Sequence, residues 1–169
     1  MKTLILTVVG DDRIGLVEAV AQVVDDHGGN WENSELAELA GAFAGVIEVS
    51  VPPDRVEELR AALSTLEGLL TITVHGAGPA AGVQPRHVTF IVLGNDHPGI
   101  VRDISAALHA HDVGIDHLTT QTRDAAMSGG RLFEATIVAR VPASADLDAV
   151  RAELERVAAE VQVDITVAG

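Results

Sequence analysis

The chain has 169 residues, enough for one domain or two small ones, and 47% of them are hydrophobic but only 2% aromatic. Its core is therefore expected to consist of aliphatic side chains. The net charge of −14, with both halves acidic and no run of Lys or Arg, disfavours direct binding to nucleic acid or to anionic membranes. The absence of cysteine excludes disulfides and thiolate nucleophiles. With no signal sequence or 18-residue apolar stretch, we expect a cytoplasmic protein.

The chain contains an internal repeat. Residues 8–17, VVGDDRIGLV, align with residues 92–101, VLGNDHPGIV, at an offset of 84 residues. In both copies, apolar residues then recur at the spacing i, i+4, i+7 and i+8, which is typical of a helix with one buried face. These residues are Leu16, Val20, Val23 and Val24, and then Ile100, Ile104, Ala107 and Leu108. Each half is therefore predicted to begin with a strand that leads into a helix.

Two extended segments follow in each half. The second of each pair alternates apolar and polar residues, which indicates a strand with one buried face, and it ends in Val-Pro, where the chain must leave the sheet. The segments turn back at Gly41 and at a longer loop over residues 124–130. They span about residues 31–39 and 43–51 in the first half, and 115–123 and 133–141 in the second.

A second helix and a closing strand complete each half. Apolar stripes that start at Val56 and Leu147 predict the helices, and Asp54 and Asp146 stand where an N-cap would stabilise them. The closing strands are predicted at residues 71–74 and 164–167.

The resulting order, β-α-β-β-α-β, predicts an α+β fold of two ferredoxin-like modules, each a four-stranded antiparallel sheet with two helices on one face. We place module one at residues 1–75 and module two at residues 87–169, joined by a Gly-, Pro- and Ala-containing linker over residues 76–86. Modules of this size are marginally stable alone and leave one sheet face uncovered. We therefore expect either close packing of the modules or a homodimer.

These features resemble the ACT domains. The resemblance rests on the element order and on the Asp-x-x-Gly turns at residues 12–15 and 96–99, and it covers nearly the whole chain twice. A tandem pair without a catalytic domain is similar to the glycine cleavage system transcriptional repressor group. Residues 114–118, GIDHL, and 128–133, SGGRLF, are similar to the second module of that group.

The resemblance implies amino-acid binding at module interfaces, through the first strand–helix turn and the start of the second strand. It implies no cofactor. In module two, Gly114 stands where module one has Asn30, and Pro98 stands where module one has Ile14. Carried onto this sequence, the ligand-binding positions are Asp11, Asp12, Gly15 and Asn30 in module one, and Asn95, Asp96 and Gly99 in module two.

Two roles are open for these turn residues. The carboxylates of Asp12 and Asp96 can accept hydrogen bonds from an amino acid's ammonium group, while N–H groups at the helix start hold its carboxylate. Alternatively, the aspartates cap the helices, and Gly15 and Gly99 permit tight helix–strand packing. Asn30 also has a structural interpretation besides ligand binding, as a polar residue of a turn and an edge strand.

We expect neither an enzyme nor a metal site. The seven His residues do not show metal-ligand spacing on one helix face, and the sequence has no nucleophile elbow, P-loop or dinucleotide-binding motif. The leading hypothesis is a non-enzymatic regulator that binds a small amino acid, by resemblance glycine or serine. It would act through a protein partner such as a transcription factor or a metabolic enzyme. The alternatives are a ligand-free docking or oligomerisation module, or the regulatory subunit of a separate metabolic enzyme.

The acidic charge leads to a first prediction. In a gel-shift assay at physiological salt, submicromolar protein should form no complex with duplex DNA, because the chain offers no basic stripe to neutralise phosphates. A complex that forms at this concentration and dissociates as salt is raised would contradict the prediction.

Overall fold

A computed structural model describes residues 1–78, 86–124, 130–161 and 163–168. The chain divides into two compact units, Met1–Ala80 and Ala81–Gly169. Each unit has the predicted β-α-β-β-α-β order.

The first unit is a four-stranded antiparallel sheet with the strand order β2-β3-β1-β4. A 3-10 turn, Pro53–Arg55, precedes its second helix. Its elements are β1 (Lys2–Asp11), α1 (Leu16–Asp26), β2 (Asn30–Leu39), β3 (Ala42–Val51), α2 (Val56–Ser64) and β4 (Thr71–Gly76).

The second unit repeats this topology with the strand order β6-β7-β5-β8, which confirms the α+β, ferredoxin-like fold of both modules. Strands β4 and β5 contain Gly76 and Arg86, the two ends of the predicted linker, while residues 79–85 and residues 125–129 of the predicted hairpin loop lie outside the described residues. The elements are β5 (Arg86–Asn95), α3 (Ile100–His109), β6 (Gly114–Asp124), β7 (Arg131–Val141), α4 (Leu147–Val161) and β8 (Val163–Ala168).

Each unit has its own aliphatic core between the sheet and its helices, because alternate strand residues point to the same face. In β1, for example, Leu4, Leu6 and Val8 are buried, and the four apolar residues predicted on α3 are all buried as well. The opposite face of each sheet retains apolar residues at the surface. Val9 and Val46 in the first unit, and Ile91 and Leu93 in the second, are each 40–50% exposed.

The second helices of the two units begin differently. Asp146 caps α4, since its Oδ1 accepts hydrogen bonds from the backbone N–H groups of Asp148 at 2.9 Å and Ala149 at 3.3 Å. The prediction that Asp54 caps α2 is wrong. Asp54 lies inside the 3-10 turn that Pro53 opens, and α2 begins after Arg55 without a side-chain cap.

This difference gives a prediction with an internal control. Asp146→Ala should lower the free energy of unfolding by about 0.5–2 kcal/mol, because two N–H groups lose their acceptor. Asp54→Ala should change it by less than about 0.5 kcal/mol. Urea unfolding followed by far-UV circular dichroism measures both, and amide hydrogen exchange localises the first effect to α4. Equal losses in the two variants would contradict the cap assignment.

Candidate functional site

The candidate site in each unit is the turn between the first strand and the first helix, residues 12–15 and 96–99. Both turns are fastened to the neighbouring hairpin by a backbone hydrogen bond. The Asp12 N–H donates to the carbonyl of Gly41 at 2.9 Å, and the Asp96 N–H donates to that of Arg131 at 2.8 Å. The two aspartates therefore have the same backbone position in both units.

A left-handed glycine ends each turn and starts the helix. Gly15 has φ +93° and Gly99 has φ +102°, and each is the N-cap residue. Their carbonyls accept the N–H groups of Ala19 and Asp103, both at 2.9 Å. Since neither helix has a side-chain cap, the positive ends of α1 and α3 present first-turn N–H groups that no capping side chain occupies.

The structural interpretations left open by the sequence are therefore corrected. Asp12 and Asp96 do not cap the helices, because the N-caps are the glycines three residues further along, where the left-handed backbone places the helix start. Tight packing does not explain Gly15 either. A Cβ atom added there would meet no atom within 4 Å, so its backbone conformation alone requires glycine.

The carboxylates at the two turns have different surroundings. In the first unit Asp11 and Asp12 are exposed, and the Asp11 carboxylate lies 3.8 Å from the Arg13 guanidinium. In the second unit Asn95 is exposed, while the Asp96 side chain is only 27% exposed and lies 3.9 Å from Nε of Arg131. The second turn thus holds its carboxylate in a more enclosed and better anchored position.

Arg102 is a candidate site residue that sequence reasoning missed. Its terminal nitrogen lies 3.2 Å from the position that a Cβ atom on Gly99 would occupy. It is held by the Asp103 carboxylate at 2.8 Å, and this hydrogen bond raises the pKa of Arg102. The sequence could have indicated Arg102, because it lies three residues after Gly99 and residues three apart lie on the same helix face. The corresponding residue of the first unit is Glu18.

Asn30 lies far from the turn of its own unit. It pairs with Ser50, which in turn pairs with Thr3 at the beginning of β1, whereas Asp11 is at the end of that strand. At 3.3 Å per residue, the separation along the strand is about 26 Å. The side chains of Asn30 and Ser50 instead hydrogen-bond to Glu32 and lower its pKa, the Ser50 bond having the larger effect. One unit therefore does not bring Asn30 to the candidate site.

Within the described part of the chain, no three His, Asp or Glu side chains are grouped so as to hold a metal ion. Likewise, none of its helices is long and apolar enough to cross a membrane.

The family model for the ACT domain matches residues 2–76, almost the whole described part of the first unit. The first unit therefore matches the ACT domain family, and the second unit repeats its strand order and its helix-starting glycine. The tandem ACT-type resemblance inferred from the sequence is thereby confirmed.

The relatives found in the comparisons extend the similarity over most of the chain. The glycine cleavage system transcriptional repressors of Escherichia coli K12 and Shigella flexneri are each 28% identical over 147 residues, covering 85% of this chain and 77% of theirs. The crystal structure of an unknown protein from Galdieria sulphuraria has a TM-score of 0.90 at 28% identity, covering 98% of this chain and 96% of that one. A candidate glycine cleavage system transcriptional repressor shares the fold, with a TM-score of 0.72 at 21% identity and coverages of 99% and 96%.

The turn geometry predicts a stability difference between two glycines of the first unit. Gly15→Ala should lower the free energy of unfolding by about 1–2 kcal/mol because the left-handed backbone disfavours a Cβ atom, whereas Gly15→Asn should cost less. Gly76→Ala is the matched control, since a Cβ there also meets open space but its φ is not left-handed. Urea unfolding monitored by the fluorescence of Trp31, the single tryptophan, reports on this unit. A loss at Gly76 as large as that at Gly15 would contradict the assignment.

Proposed function

We propose that this protein is a non-enzymatic regulator that binds a small amino acid and acts through a protein partner to control amino-acid metabolism or its transcription. The ACT domain of the first unit and the similarity to repressors named for glycine cleavage support this function. The same similarity makes glycine and serine the proposed ligands. The proposed location is the cytoplasm.

The observation that carries the proposal is that, in each unit, a helix start without a capping side chain follows an aspartate by three residues. The ligand's carboxylate would accept hydrogen bonds from first-turn N–H groups, where the helix dipole favours negative charge. The ligand's ammonium group would be held by Asp96 in the second unit, or by Asp12 in the first. Asp11 and Asn95 would line the approach from the strand ends, and glycine at the cap leaves the backbone accessible.

The second unit is proposed as the stronger site. Arg102 lies beside its helix start with Nε and one terminal nitrogen held by Asp103, and its remaining N–H groups would donate to a ligand carboxylate. Glu18 at the corresponding place in the first unit would repel one. The partly enclosed carboxylate of Asp96 also supports this ranking, because solvent would screen its attraction to the ligand's ammonium group less.

Contact with a second copy of the chain, in a homodimer, is proposed to complete the site. Asn30 contributes to ligand binding only if it comes from a module other than the one whose turn holds the ligand. Exposed apolar residues beside the turns support such contact: Ile14 is fully exposed, and Val17 and Val101 are 44% and 41% exposed. Ligand occupancy would then favour one packing arrangement over another, and this difference is what the partner would detect.

The partner is proposed to be a protein, either a transcription factor or a metabolic enzyme. A chain with a net charge of −14 is poorly suited to contact DNA itself. An acidic surface is instead suited to a basic surface on a protein partner, which it would attract and orient during association.

Calorimetric titration of glycine and serine tests the function and the site together. Asp96→Asn and Arg102→Gln should each weaken binding by about 10-fold or more, the effect of losing one charge-assisted interaction. Asp12→Asn should have a smaller effect. Asp54→Asn should have none, because Asp54 is exposed and follows the end of β3 that pairs with the start of β1, away from residues 12–15. If wild type binds neither amino acid, the proposed ligands are wrong. If it binds and the Asp96 and Arg102 variants bind equally well, the site is wrong.

A further inference from the structure

A separate cavity of about 270 Å³ lies in the second unit, between the start of β5 and the start of α4. Its apolar lining consists of Val88, Phe90 and Leu147, of which the first two are almost fully buried. Arg86, Asp148 and Arg151 add charged groups. The cavity therefore combines an apolar interior with two guanidinium groups, a combination that suits an anion with an apolar body.

The alternation of β5 decides which side chains belong to the cavity. Arg86, Val88 and Phe90 share the face that α4 covers, whereas the side chain of His87 belongs to the opposite face. There its Nε2 lies 3.1 Å from the Asp116 carboxylate, which also lies 3.4 Å from Arg140. His87 thus borders the cavity, but its imidazole is engaged elsewhere.

The two arginines of the cavity differ from the others in the chain. Eight of the ten arginines lie within 4 Å of a carboxylate. Across the described residues, the two without such an ion pair are Arg86 and Arg151, and both line this cavity. Both arginines are exposed, and both line one cavity of a chain with 25 acidic and 11 basic residues, which suits this cavity to an external anion.

The first unit supplies an internal comparison. The helices α2 and α4 can be aligned on their buried residues, Leu59 and Leu63 with Val150 and Leu154. In this alignment Arg60 corresponds to Arg151, and Glu57 corresponds to Asp148. Arg60 lies 3.7 Å from the Glu57 carboxylate and donates a hydrogen bond to the Val74 carbonyl at 3.1 Å. In the second unit the acidic side chain is one methylene shorter, and Arg151 has no such ion pair. The same fold position therefore carries a satisfied arginine in one unit and an available one in the other.

The cavity is distinct from the candidate site at the turn of residues 96–99. Arg86 is the first residue of β5 and Asn95 the last, a separation of about 30 Å at 3.3 Å per residue. The helix dipole is not what makes it suitable for an anion, because Asp146 already caps α4. The positive charge comes from the two guanidinium groups, which are well shaped to bind a carboxylate through paired hydrogen bonds.

We propose that this cavity is a second ligand site, for a small carboxylate with an apolar body of about four to six carbons, because its volume is near the lower end of that of ligand cavities. The carboxylate lies between Arg86 and Arg151, and the apolar body contacts Val88, Phe90 and Leu147. Asp148 at the rim additionally selects ligands that carry an ammonium group. The site goes beyond the proposed function, since it uses none of the turn residues.

The test uses the full chain and three probes, namely 3-methylbutanoate, its uncharged amide and leucine, followed by calorimetry and by NMR of the Phe90 and Leu147 resonances. The carboxylate should bind at least about 10-fold more tightly than the amide, and Arg86→Gln and Arg151→Gln should each remove about 10-fold in affinity. Arg60→Gln is the matched control and should leave binding unchanged. Because Asp148 recognises the ammonium group, Asp148→Asn should weaken the binding of leucine but not of 3-methylbutanoate.

Three outcomes would overturn the proposal: no carboxylate shifts the Phe90 and Leu147 resonances at millimolar concentration, the amide binds as well as the acid, or both arginine variants bind like wild type. Asp96→Asn separates this test from that of the proposed function, because it should weaken binding at the turn and leave the cavity unaffected. Either site can therefore fail without the other.

Discussion

The geometry of both units depends on a single left-handed residue between the first strand and the first helix. A chain that leaves β1 or β5 must reverse direction within four residues so that the helix can lie back across the sheet. The positive φ of Gly15 and Gly99 makes this reversal possible at little energetic cost. The same glycines leave the first N–H groups of each helix without a capping acceptor, because a glycine at the cap has no side chain to offer. A backbone requirement of the fold thus also produces the candidate ligand site.

Much of the fold could be predicted from the sequence because each element buries one face. The period-2 alternation of residues 43–51 and the helical spacing from Leu16 to Val24 both mark sides that face an aliphatic core, and the structure buries those sides. Duplication strengthened the prediction, since two halves with the same pattern at nearly constant offset limit the alternative assignments. The element boundaries were accurate to within a few residues for the same reason.

Local backbone geometry was harder to predict. An aspartate three residues before a helical stripe is compatible with an N-cap or with a turn, and only the dihedral angles show that Gly15 and Gly99 take the cap positions. Asp54 does not cap α2 because Pro53 starts a 3-10 turn that contains Asp54, and the helix therefore begins after it. Asn30 is a different case. The antiparallel topology already implied that the second strand begins at the end of the sheet far from the turn, so its separation was deducible from the predicted order.

Contacts between elements explain what the sequence could not provide. Whether an arginine has a partner depends on which residues the fold places nearby, and this cannot be deduced from spacing alone. Arg60 and Arg151 occupy matching positions in similar helices, but one is bound to a carboxylate and a carbonyl of its own unit, and the other lines a cavity. At the helix starts, the second unit has the positive Arg102 where the first unit has the negative Glu18. In the first pair the second unit has an arginine without an ion pair where the first unit has a paired one. In the second pair it has an arginine, held by Asp103, where the first unit has Glu18. Since the backbone topology is the same in the two units, this difference lies in the side chains that each unit places on it.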